Sequence, residues 1–355
     1  MSLSRLFLLP FALLYGVCTT IRNLLYDWGW YSSTSSNLPV ISVGNLSVGG
    51  TGKTPHIEYL IRLLSAKFRV ATLSRGYGRK SKGFIRGDQF SDTTQIGDEP
   101  LQYVQKFENI VVTVDEKRVR GINEIAFRYP SVDVILMDDG FQHRAVKPGL
   151  SILLTDYFNL YREDYLLPVG TLRERIAGAA RADIIVVTKC PEILSPLTRQ
   201  RINSLLKPLP HQKLYFSYIR YGNLTPLFPN ACLSKRNKKI NTILLFAGIA
   251  NTYPLEEYLR RNCIELIAMT YPDHHQYTAA DLAKIRLTWE QIHLKSKLLI
   301  TTEKDAMRLK FSPVKDLVVH LPVQYLPIEV VFHADDEEAF NRQVSNYVER
   351  GKSHR

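Results

Sequence analysis

The segment that most restricts the fold of this chain is a glycine-rich loop between a strand pattern and a helix pattern. Residues 40–43 form an apolar run, and the loop that follows ends in Lys53 and Thr54. The next residues have apolar side chains at a helical spacing, with Pro55 in the first turn, where proline is tolerated. A buried strand, a glycine-rich loop and a helix in this order are typical of a phosphate-binding site in an α/β fold.

The residue types in this loop match what a nucleotide phosphate requires, although a purely structural glycine turn is the alternative. Glycines let backbone N–H groups converge on phosphate oxygens, and the N-terminus of the following helix favours the same negative charge. In such a P-loop, Lys53 reaches the β- and γ-phosphates and the Thr54 hydroxyl binds Mg²⁺. The strict pattern has a glycine where this chain has Ser47. The predicted nucleotide-binding residues are Ser47, Val48, Gly49, Gly50, Thr51, Gly52, Lys53 and Thr54.

A pair of adjacent carboxylates supplies the second part of such a site. Asp138 and Asp139 come directly after the apolar run 132–137. Two carboxylates at a strand end repel each other unless a cation or a hydrogen-bond donor compensates, so the pair favours a Mg²⁺ site over two surface acids that open a turn. Guanine-specific P-loop proteins carry an aspartate in an N/TKxD element, and residues 188–191 lack it. ATP with Mg²⁺ is therefore the predicted cofactor.

Strand and helix patterns alternate along the rest of the chain, which indicates parallel sheets covered by helices on both faces. In the N-terminal part, strands are predicted at residues 40–43, 70–73, 110–114, 132–137, 151–154 and 183–188, and a helix at 53–64. A second series has strands at residues 242–246, 264–269, 297–301 and 317–320 and helices near 255–261, 279–293 and 303–310. Two extended segments, 214–221 and 323–332, flank this series and are predicted to pair as a hinge.

We therefore predict an α/β protein: a P-loop NTPase-type domain with a mostly parallel sheet, joined by a two-stranded β hinge to a second, smaller α/β domain. The length of 355 residues suits about two domains. The predicted parts are an N-terminal membrane-associating helix at 1–30, the P-loop domain at 31–212, the smaller domain with its hinge strands at 213–335, and a C-terminal helix or tail at 336–355.

The N-terminal segment and the overall charge indicate which partners the protein binds. Residues 6–21 are uncharged and mostly apolar, which is slightly short of the roughly 20 residues of a bilayer span. Arg22, Trp28 and Trp30 follow, as in a helix that lies among lipid headgroups. A core helix, a secretory signal and a true span are the alternatives.

The net charge of +12 suits nucleic acid, nucleotide phosphates or an acidic membrane. The four cysteines lie far apart, as in a cytosolic protein.

Eight short motifs occur in a fixed order along most of the chain. As a set they closely resemble the tetraacyldisaccharide 4′-kinase family of bacterial lipid A synthesis, whose P-loop also carries Ser or Thr at the position of Ser47. The motifs are VGNLSVGGTGKTP from Val43, SRGYGR from Ser74, GDEP from Gly97, DDGFQH from Asp138, LLPVGTLRE from Leu166, FAGIA from Phe246, PDHH from Pro272 and TTEKDA from Thr301.

The resemblance implies a kinase that transfers the γ-phosphoryl group of ATP to the 4′-hydroxyl of a lipid A disaccharide 1-phosphate. The family acts on the cytoplasmic face of the bacterial inner membrane, so the expected partners are this lipid and the membrane surface. Neither a nucleic acid nor an obligate protein partner is expected.

The resemblance also implies roles for individual residues. Asp98 of GDEP and His274 of PDHH, chosen over the adjacent His275 from the motif, are expected to form a dyad that activates the acceptor hydroxyl. Because these two residues fall in different predicted domains, domain closure is expected to complete the site. The expected metal-side and transition-state residues are Thr54, Asp138, Asp139, Glu174, Arg118 and Arg173, with Lys53 on the phosphates.

Two other classes of function share parts of this pattern. A membrane-associated P-loop switch NTPase would hydrolyse nucleotide without transferring phosphate, and it would not need an acceptor-side pair such as Asp98 and His274. A nucleic-acid-binding ATPase is suggested by charge alone, because the chain shows no recognised DNA or RNA module and its basic residues are spread out.

Overall fold

The computed structural model describes residues 7–229, 240–294, 296–311 and 314–353. The chain divides into two compact units, the first formed by Met1–Arg220 with Val330–Arg355 and the second by Tyr221–Glu329. Cys18, Cys190 and Cys263 are free thiols, and Cys232 lies outside the described residues.

Within the described residues, the first unit contains a nine-stranded sheet. Its strands are β1 (Val40–Asn45), β2 (Val70–Ser74), β3 (Ile85–Arg86), β4 (Val111–Val114), β5 (Val134–Asp138), β6 (Leu150–Asp156), β7 (Ile184–Thr188), β8 (Lys213–Tyr221) and β14 (Ile328–Phe332). Their order across the sheet is β14-β8-β7-β6-β1-β5-β2-β4-β3. The central β1 pairs in parallel with β5 and β6. All residues of β1, β2, β5 and β7 are buried, which explains their continuous apolar runs. All six strands predicted for this part of the chain are confirmed.

The helices of the first unit include the predicted one after the glycine-rich loop. They are α1 (Leu9–Asp27), α2 (Lys53–Ser65), α3 (Thr93–Ile96), α4 (Asp98–Lys106), α5 (Arg118–Arg128), α6 (Pro196–Leu206) and α11 (Ala334–Ser353). The apolar face that predicted α2 is buried against the sheet. Three side chains of α11, Phe340, Val344 and Val348, pack in the same core, so the C-terminal helix belongs to the first unit.

The second unit has its own five-stranded sheet within the described residues. Its strands are β9 (Thr225–Pro226), β10 (Thr242–Ala247), β11 (Glu265–Thr270), β12 (Lys297–Thr302) and β13 (Val323–Leu326), and its helices are α7 (Tyr253–Arg260), α8 (Ala279–Gln291), α9 (Glu303–Lys310) and α10 (Lys315–Val318). The order is β11-β10-β12-β13-β9. Because β10 pairs in parallel with β11 and β12, the carboxyl ends of these three strands lie at one edge of the sheet.

Two predictions from short apolar runs need correction. The strand predicted at residues 317–320 is wrong, because this segment contains the end of helix α10, whose Val318 is fully buried in the core of the second unit. Periodicity does not distinguish a strand from a helix in so short a run. The extended segment 323–332 is divided at Pro327 into β13 and β14. Only β14 is a neighbour of β8, so the predicted hinge pairing holds for one half of the segment.

Helix α1 presents a wide apolar face to solvent. Phe11, Leu13 and Leu14 are each more than 60% exposed. On the opposite face Ala12 and Gly16 are buried, and a Cβ on Gly16 would lie 2.8 Å from the Cδ1 of Leu166. Among the described residues, no helix combines the length and the apolarity that crossing a membrane requires.

Candidate active site

The glycine-rich loop leaves the carboxyl end of β1 at the centre of the nine-stranded sheet. Gly49 and Gly52 have φ angles of 114° and 87°, in the left-handed region that glycine adopts without strain. A Cβ added to Gly49 or Gly50 would meet no described heavy atom within 4 Å. The backbone of this loop therefore borders open space, as a loop that receives phosphate oxygens requires.

Side chains at the ends of β1 and β7, two strands that β6 separates in the sheet, hold the loop in place. Asn45, the last residue of β1, donates from Nδ2 to the Thr51 hydroxyl at 2.8 Å and accepts at Oδ1 from the Nζ of Lys53 at 3.2 Å. The Thr188 hydroxyl, at the end of β7, donates to the Thr51 carbonyl at 2.9 Å. These contacts fix both the loop backbone and the starting position of the lysine side chain.

A buried histidine on the first turn of α2 fixes the last glycine of the loop. The Nδ1 of His56 lies 2.7 Å from the Gly52 carbonyl, and its Nε2 lies 3.0 Å from the Ser217 hydroxyl. Burial lowers the pKa of His56 to about 4, so the ring is neutral near pH 7. Because a carbonyl only accepts, Nδ1–H donates to Gly52 and Nε2 accepts from Ser217. The histidine thus ties the P-loop to β8.

Asp139 is held between two cations beside the loop. Arg173 donates to its Oδ1 at 2.8 Å and to its Oδ2 at 3.0 Å, and the Nζ of Lys53 lies 3.6 Å from Oδ1. Burial opposes the ionisation of Asp139, but the hydrogen bonds from Arg173 and the charge of Lys53 outweigh it and hold the pKa of this carboxyl well below its usual range. Arg173 also donates to the side-chain and backbone oxygens of Asn45.

Asp138 has a different environment. Its Oδ2 accepts from the Tyr103 hydroxyl at 3.0 Å, whereas its buried Oδ1 has no hydrogen-bond partner among the described residues. Burial, together with the charges of Glu99 and Asp139, raises the pKa of Asp138 to about 6. A buried carboxylate oxygen without a donor is the arrangement that a bound cation would satisfy.

Arg118 lies beside this carboxylate as the first residue of α5. Its Nη1 donates to the Asp115 carbonyl at 2.5 Å and its Nη2 to the Asp138 carbonyl at 3.4 Å. Burial lowers the pKa of Arg118 to about 10, which leaves the guanidinium charged near pH 7. The structure therefore brings Arg118 and Asp138 together, although 20 residues separate them.

Glu174 is surrounded by donors. Arg181 contacts both of its carboxylate oxygens, at 2.9 and 2.8 Å. The Nε2 of Gln142 donates to its Oε1 at 3.1 Å, and the Nδ2 of Asn23, on α1, donates to its Oε2 at 3.0 Å. The Tyr15 hydroxyl, also on α1, donates to the carbonyl of the preceding Arg173 at 2.8 Å. The N-terminal helix is thus attached to the site residues themselves.

Asp98 lies on the same unit, buried at the first position of α4. The preceding Gly97 has a φ of 87°, and a Cβ there would lie 2.8 Å from the Tyr77 carbonyl oxygen. The GDEP and SRGYGR motifs therefore pack backbone against backbone. A glycine is required at this contact because any side chain would displace the loop or the helix.

An apolar groove runs between α1 and the segment that leads to Arg173. Its volume is about 450 Å³. The aliphatic residues that line it are Leu9, Ala12, Leu13, Leu166, Val169, Leu172, Ile176 and Ala177. Leu172 is the neighbour of Arg173 in the chain, so one wall of the groove belongs to the segment that carries Arg173.

In the second unit, three motifs meet at the carboxyl ends of β10, β11 and β12. His274 has a φ of 59°, unusual for a residue with a side chain, and its ring contacts Lys304 and Arg308. The adjacent His275 instead lies 3.0 Å from Asp281, the third residue of α8 and the capping-box partner of Thr278, and stacks on Tyr271. The two histidines, which are indistinguishable by spacing, thus have different surroundings.

Of the predicted site residues, the structure places Ser47–Thr54, Asp98, Arg118, Asp138, Asp139, Arg173 and Glu174 on the first unit and His274 on the second. Sequence reasoning missed Asn45, Tyr103 and Arg308. The amide of Asn45 within the glycine-rich motif is a signal that could have been read. The contact of Tyr103 with Asp138 joins a helix to a strand, and no local pattern predicts it.

Comparison with known proteins gives a consistent result. A family model described as tetraacyldisaccharide-1-P 4′-kinase matches residues 4–349. The tetraacyldisaccharide 4′-kinase of Bacteroides thetaiotaomicron is 44% identical over 352 residues, covering 96% of this chain and 92% of that protein. The one from Flavobacterium johnsoniae is 48% identical over 324 residues, covering 91% and 93%. A solved structure of LpxK from Aquifex aeolicus in complex with ATP is 28% identical, with a TM-score of 0.73 and coverage of 98% and 100%.

Proposed function

This chain belongs to the tetraacyldisaccharide 4′-kinase family, and from that premise we propose how the residues of its candidate active site perform the reaction. The enzyme transfers the γ-phosphoryl group of ATP to the 4′-hydroxyl of tetraacyldisaccharide 1-phosphate, the lipid A precursor, and gives lipid IVA. The observation in the structure that carries the proposal is the P-loop at the end of β1, with Lys53 held between Asn45 and Asp139.

The P-loop, residues 47–54, binds the phosphates of ATP. Its left-handed glycines let the backbone turn its N–H groups outward, and the N-terminus of α2 adds a favourable dipole. Lys53 moves from its contacts with Asn45 and Asp139 to the β- and γ-phosphates. Phosphoryl transfer depends on positioning and charge neutralisation more than on covalent chemistry.

The donor set fits Mg²⁺, with Thr54 and Asp138 as the principal ligands. The unpartnered Oδ1 of Asp138 supports this assignment, whereas both oxygens of Glu174 already accept hydrogen bonds and Asp139 is paired with cations. Asp139 and Glu174 then lie near the metal without binding it. Asp139 holds Arg173, and Glu174 pairs with Arg181 and so fixes the 174–181 segment. In the described residues no group of three or more His, Cys, Asp or Glu side chains could hold a metal ion, so phosphate and water oxygens would complete the shell. Bound Mg²⁺ supplies charge neutralisation at the phosphates.

Two arginines neutralise the transferring group. Arg173 is anchored by Asp139 and Asn45 beside Lys53, and Arg118 is anchored at the backbone of Asp138. Both guanidinium groups are thus fixed before the nucleotide arrives, and a cation that needs no reorganisation stabilises developing charge best.

Asp98 and His274 form the dyad that activates the acceptor. A carboxylate within hydrogen-bond reach of a sugar hydroxyl accepts its proton as attack proceeds, and an imidazole orients that carboxylate. The surroundings of the histidines support the choice of His274, because His275 is occupied with Asp281 and Tyr271. Asp98 belongs to the first unit and His274 to the second.

The acceptor is an amphiphile, and α1 provides a surface for it. The exposed apolar face of α1 inserts among acyl chains at the cytoplasmic face of the inner membrane, and the net charge of +12 favours anionic headgroups. The apolar groove beside α1 accepts part of the lipid, and Leu172 in its wall is the chain neighbour of Arg173.

Transfer of labelled γ-phosphate from ATP to tetraacyldisaccharide 1-phosphate, in detergent micelles with Mg²⁺, tests the catalytic site. We expect labelled lipid with the wild type and with the surface control Lys67→Ala, and a loss of about 100-fold or more with Lys53→Ala. Hydrolysis of ATP without labelled lipid would contradict the proposal and point to a switch NTPase.

Flotation with anionic vesicles tests the membrane contact. Deleting residues 1–25 would also remove the contacts of Tyr15 with Arg173, so a point variant is the sharper test. We expect Phe11→Asp with Leu14→Asp to lower recovery with vesicles about threefold or more, because charge opposes insertion. Phe127→Asp, at an exposed position on α5, is the matched control. Full recovery of the double variant would exclude this face as the contact.

A further inference from the structure

The imidazole of His274 contacts a cation at each ring nitrogen. Its Nε2 lies 3.1 Å from the Nζ of Lys304, and its Nδ1 lies 3.2 Å from the Nη2 of Arg308. We call His274, Asp273, Lys304, Asp305 and Arg308 the histidine cluster. A neutral imidazole has one N–H and one lone pair, so only one of its two nitrogens accepts a hydrogen bond from these cations.

Arg308 is the fixed partner of the two. The residue is 3% exposed, and its Nη1 donates to the Asp305 carboxylate at 3.0 Å and to the Gly248 carbonyl at 2.9 Å. Asp305 is itself held by the backbone N–H of Gly248 at 3.0 Å and by the Thr302 hydroxyl at 2.6 Å. A planar guanidinium anchored in this way directs its remaining N–H groups in fixed directions.

Lys304 is the adjustable partner. Its ammonium stands on a flexible stem, is about one-quarter exposed, and lies 3.5 Å from the carboxylate of Asp273. An ammonium has no lone pair and cannot accept from an N–H at Nε2, but its flexible stem lets it turn away from that nitrogen toward the Asp273 carboxylate. Because Arg308 does not have this freedom, its donor decides which ring nitrogen of His274 keeps the lone pair.

We propose that Arg308 is a positioning residue for His274, which it holds as the neutral tautomer with the proton on Nε2. The guanidinium donates to Nδ1, so Nδ1 carries the lone pair and Nε2 carries the hydrogen. The left-handed backbone at residue 274 persists because the ring is held in this cluster. None of the sequence motifs pairs these two residues, which are 34 positions apart.

The consequence for the reaction rests on the dyad proposed above. An imidazole with its hydrogen on Nε2 donates from that nitrogen to a carboxylate and thereby orients it. The proton of the acceptor hydroxyl then passes to the carboxylate of Asp98, and His274 receives no proton at Nε2. Because Arg308 fixes this tautomer, His274 orients the carboxylate of Asp98 and does not relay its proton.

The tautomer is measured directly by NMR of the full-length protein labelled with ¹⁵N in its histidine rings. The His274→Asn spectrum identifies the signals that belong to this residue. We expect an unprotonated nitrogen at Nδ1 and an N–H nitrogen at Nε2 in the wild type. The opposite assignment in the wild type would overturn the proposal.

Two variants separate Arg308 from Lys304. Arg308→Lys keeps a positive partner for the buried Asp305 and so preserves folding, but it lacks the fork that reaches His274, and we expect a mixture of tautomers. Lys304→Met removes the other cation, and the tautomer of the wild type is expected to remain. An unchanged spectrum in folded Arg308→Lys, or a reversed one in Lys304→Met, would contradict the assignment.

Kinetics connect the tautomer to the reaction. We expect Arg308→Lys to lower kcat about tenfold or more and to leave the KM for ATP within about twofold, because the phosphates bind on the first unit. Lys310→Met, at a half-buried position on the same helix and outside the histidine cluster, is the control. If His274→Ala retains turnover, the dyad fails while the NMR result still decides the role of Arg308.

Discussion

The P-loop of the first unit and the histidine cluster of the second unit achieve fixed geometry in different ways. The P-loop consists of eight consecutive residues between a strand and a helix, and its shape depends on backbone angles and on contacts to Asn45, His56 and Thr188. The histidine cluster draws its side chains from two segments, 273–274 and 304–308, and fastens them to Gly248 in a third.

This difference predicts which substitutions each site tolerates. A loop that binds with backbone N–H groups depends on its φ angles and on the groups beneath it, in addition to the side chains of Lys53 and Thr54. A cluster that works through one imidazole depends on that side chain and on its anchored neighbours. We therefore expect substitutions in the histidine cluster to lower turnover, and substitutions of the groups beneath the P-loop to lower ATP affinity and stability.

The largest effect is expected for His274→Ala. Loss of a group that orients the catalytic carboxylate should lower kcat by about 10²–10⁴-fold, with ATP affinity unchanged. The matched control is His275→Ala, whose ring contacts Asp281 and Tyr271 and which we expect to retain kcat within a few-fold. Single-turnover transfer assays measure both, and a larger loss in the control would exchange the roles of the two histidines.

Removing the buried imidazole under the P-loop comes next. His56→Leu leaves the Gly52 carbonyl and the Ser217 hydroxyl without their partner, and we expect the free energy of unfolding to fall by about 2 kcal/mol. Denaturant unfolding measures this. Adding Ser217→Ala should recover part of the loss because it removes one unpaired group, and strictly additive losses would show that the two side chains are not coupled.

A smaller effect is expected from Asn45→Ala. Without the amide, the Thr51 hydroxyl and the Lys53 ammonium lose a common partner, and ATP should bind about tenfold more weakly. Titration with ATP measures the affinity. Asn123→Ala, at an exposed position on α5, is the control. Equal affinities for Asn45→Ala and wild type would mean that the loop holds its shape without support from β1.

The smallest effect is expected from Gly49→Ala and Gly50→Ala, which together distinguish backbone strain from steric crowding in the P-loop. Gly49 has a φ of 114° and Gly50 does not have a positive φ, yet a Cβ would meet open space at both positions. We expect Gly49→Ala to lower the free energy of unfolding of the nucleotide-free protein by about 1 kcal/mol more than Gly50→Ala. Equal losses would indicate that φ is not the limiting factor.

Local patterns predicted much of the fold because the strands of the first unit are buried on both faces. Their apolar runs carry enough signal to locate all six predicted strands and α2. The prediction failed at residues 317–320, where an apolar run too short to show a period forms part of helix α10 instead of a strand. It was incomplete at Pro327, which divides one extended segment between two sheets.

The sequence by itself determined the chemistry of the phosphate site, since Lys53, Thr54 and the glycines act through their own residue types and their immediate neighbours. Only the tertiary structure decided which carboxylate has an unpartnered oxygen, which histidine faces Arg308 and that α1 is attached to the site through Tyr15 and Asn23. Those facts depend on contacts between residues 30 to 160 positions apart, which arise when strand ends and loops meet at a sheet edge and leave no periodic trace in the chain.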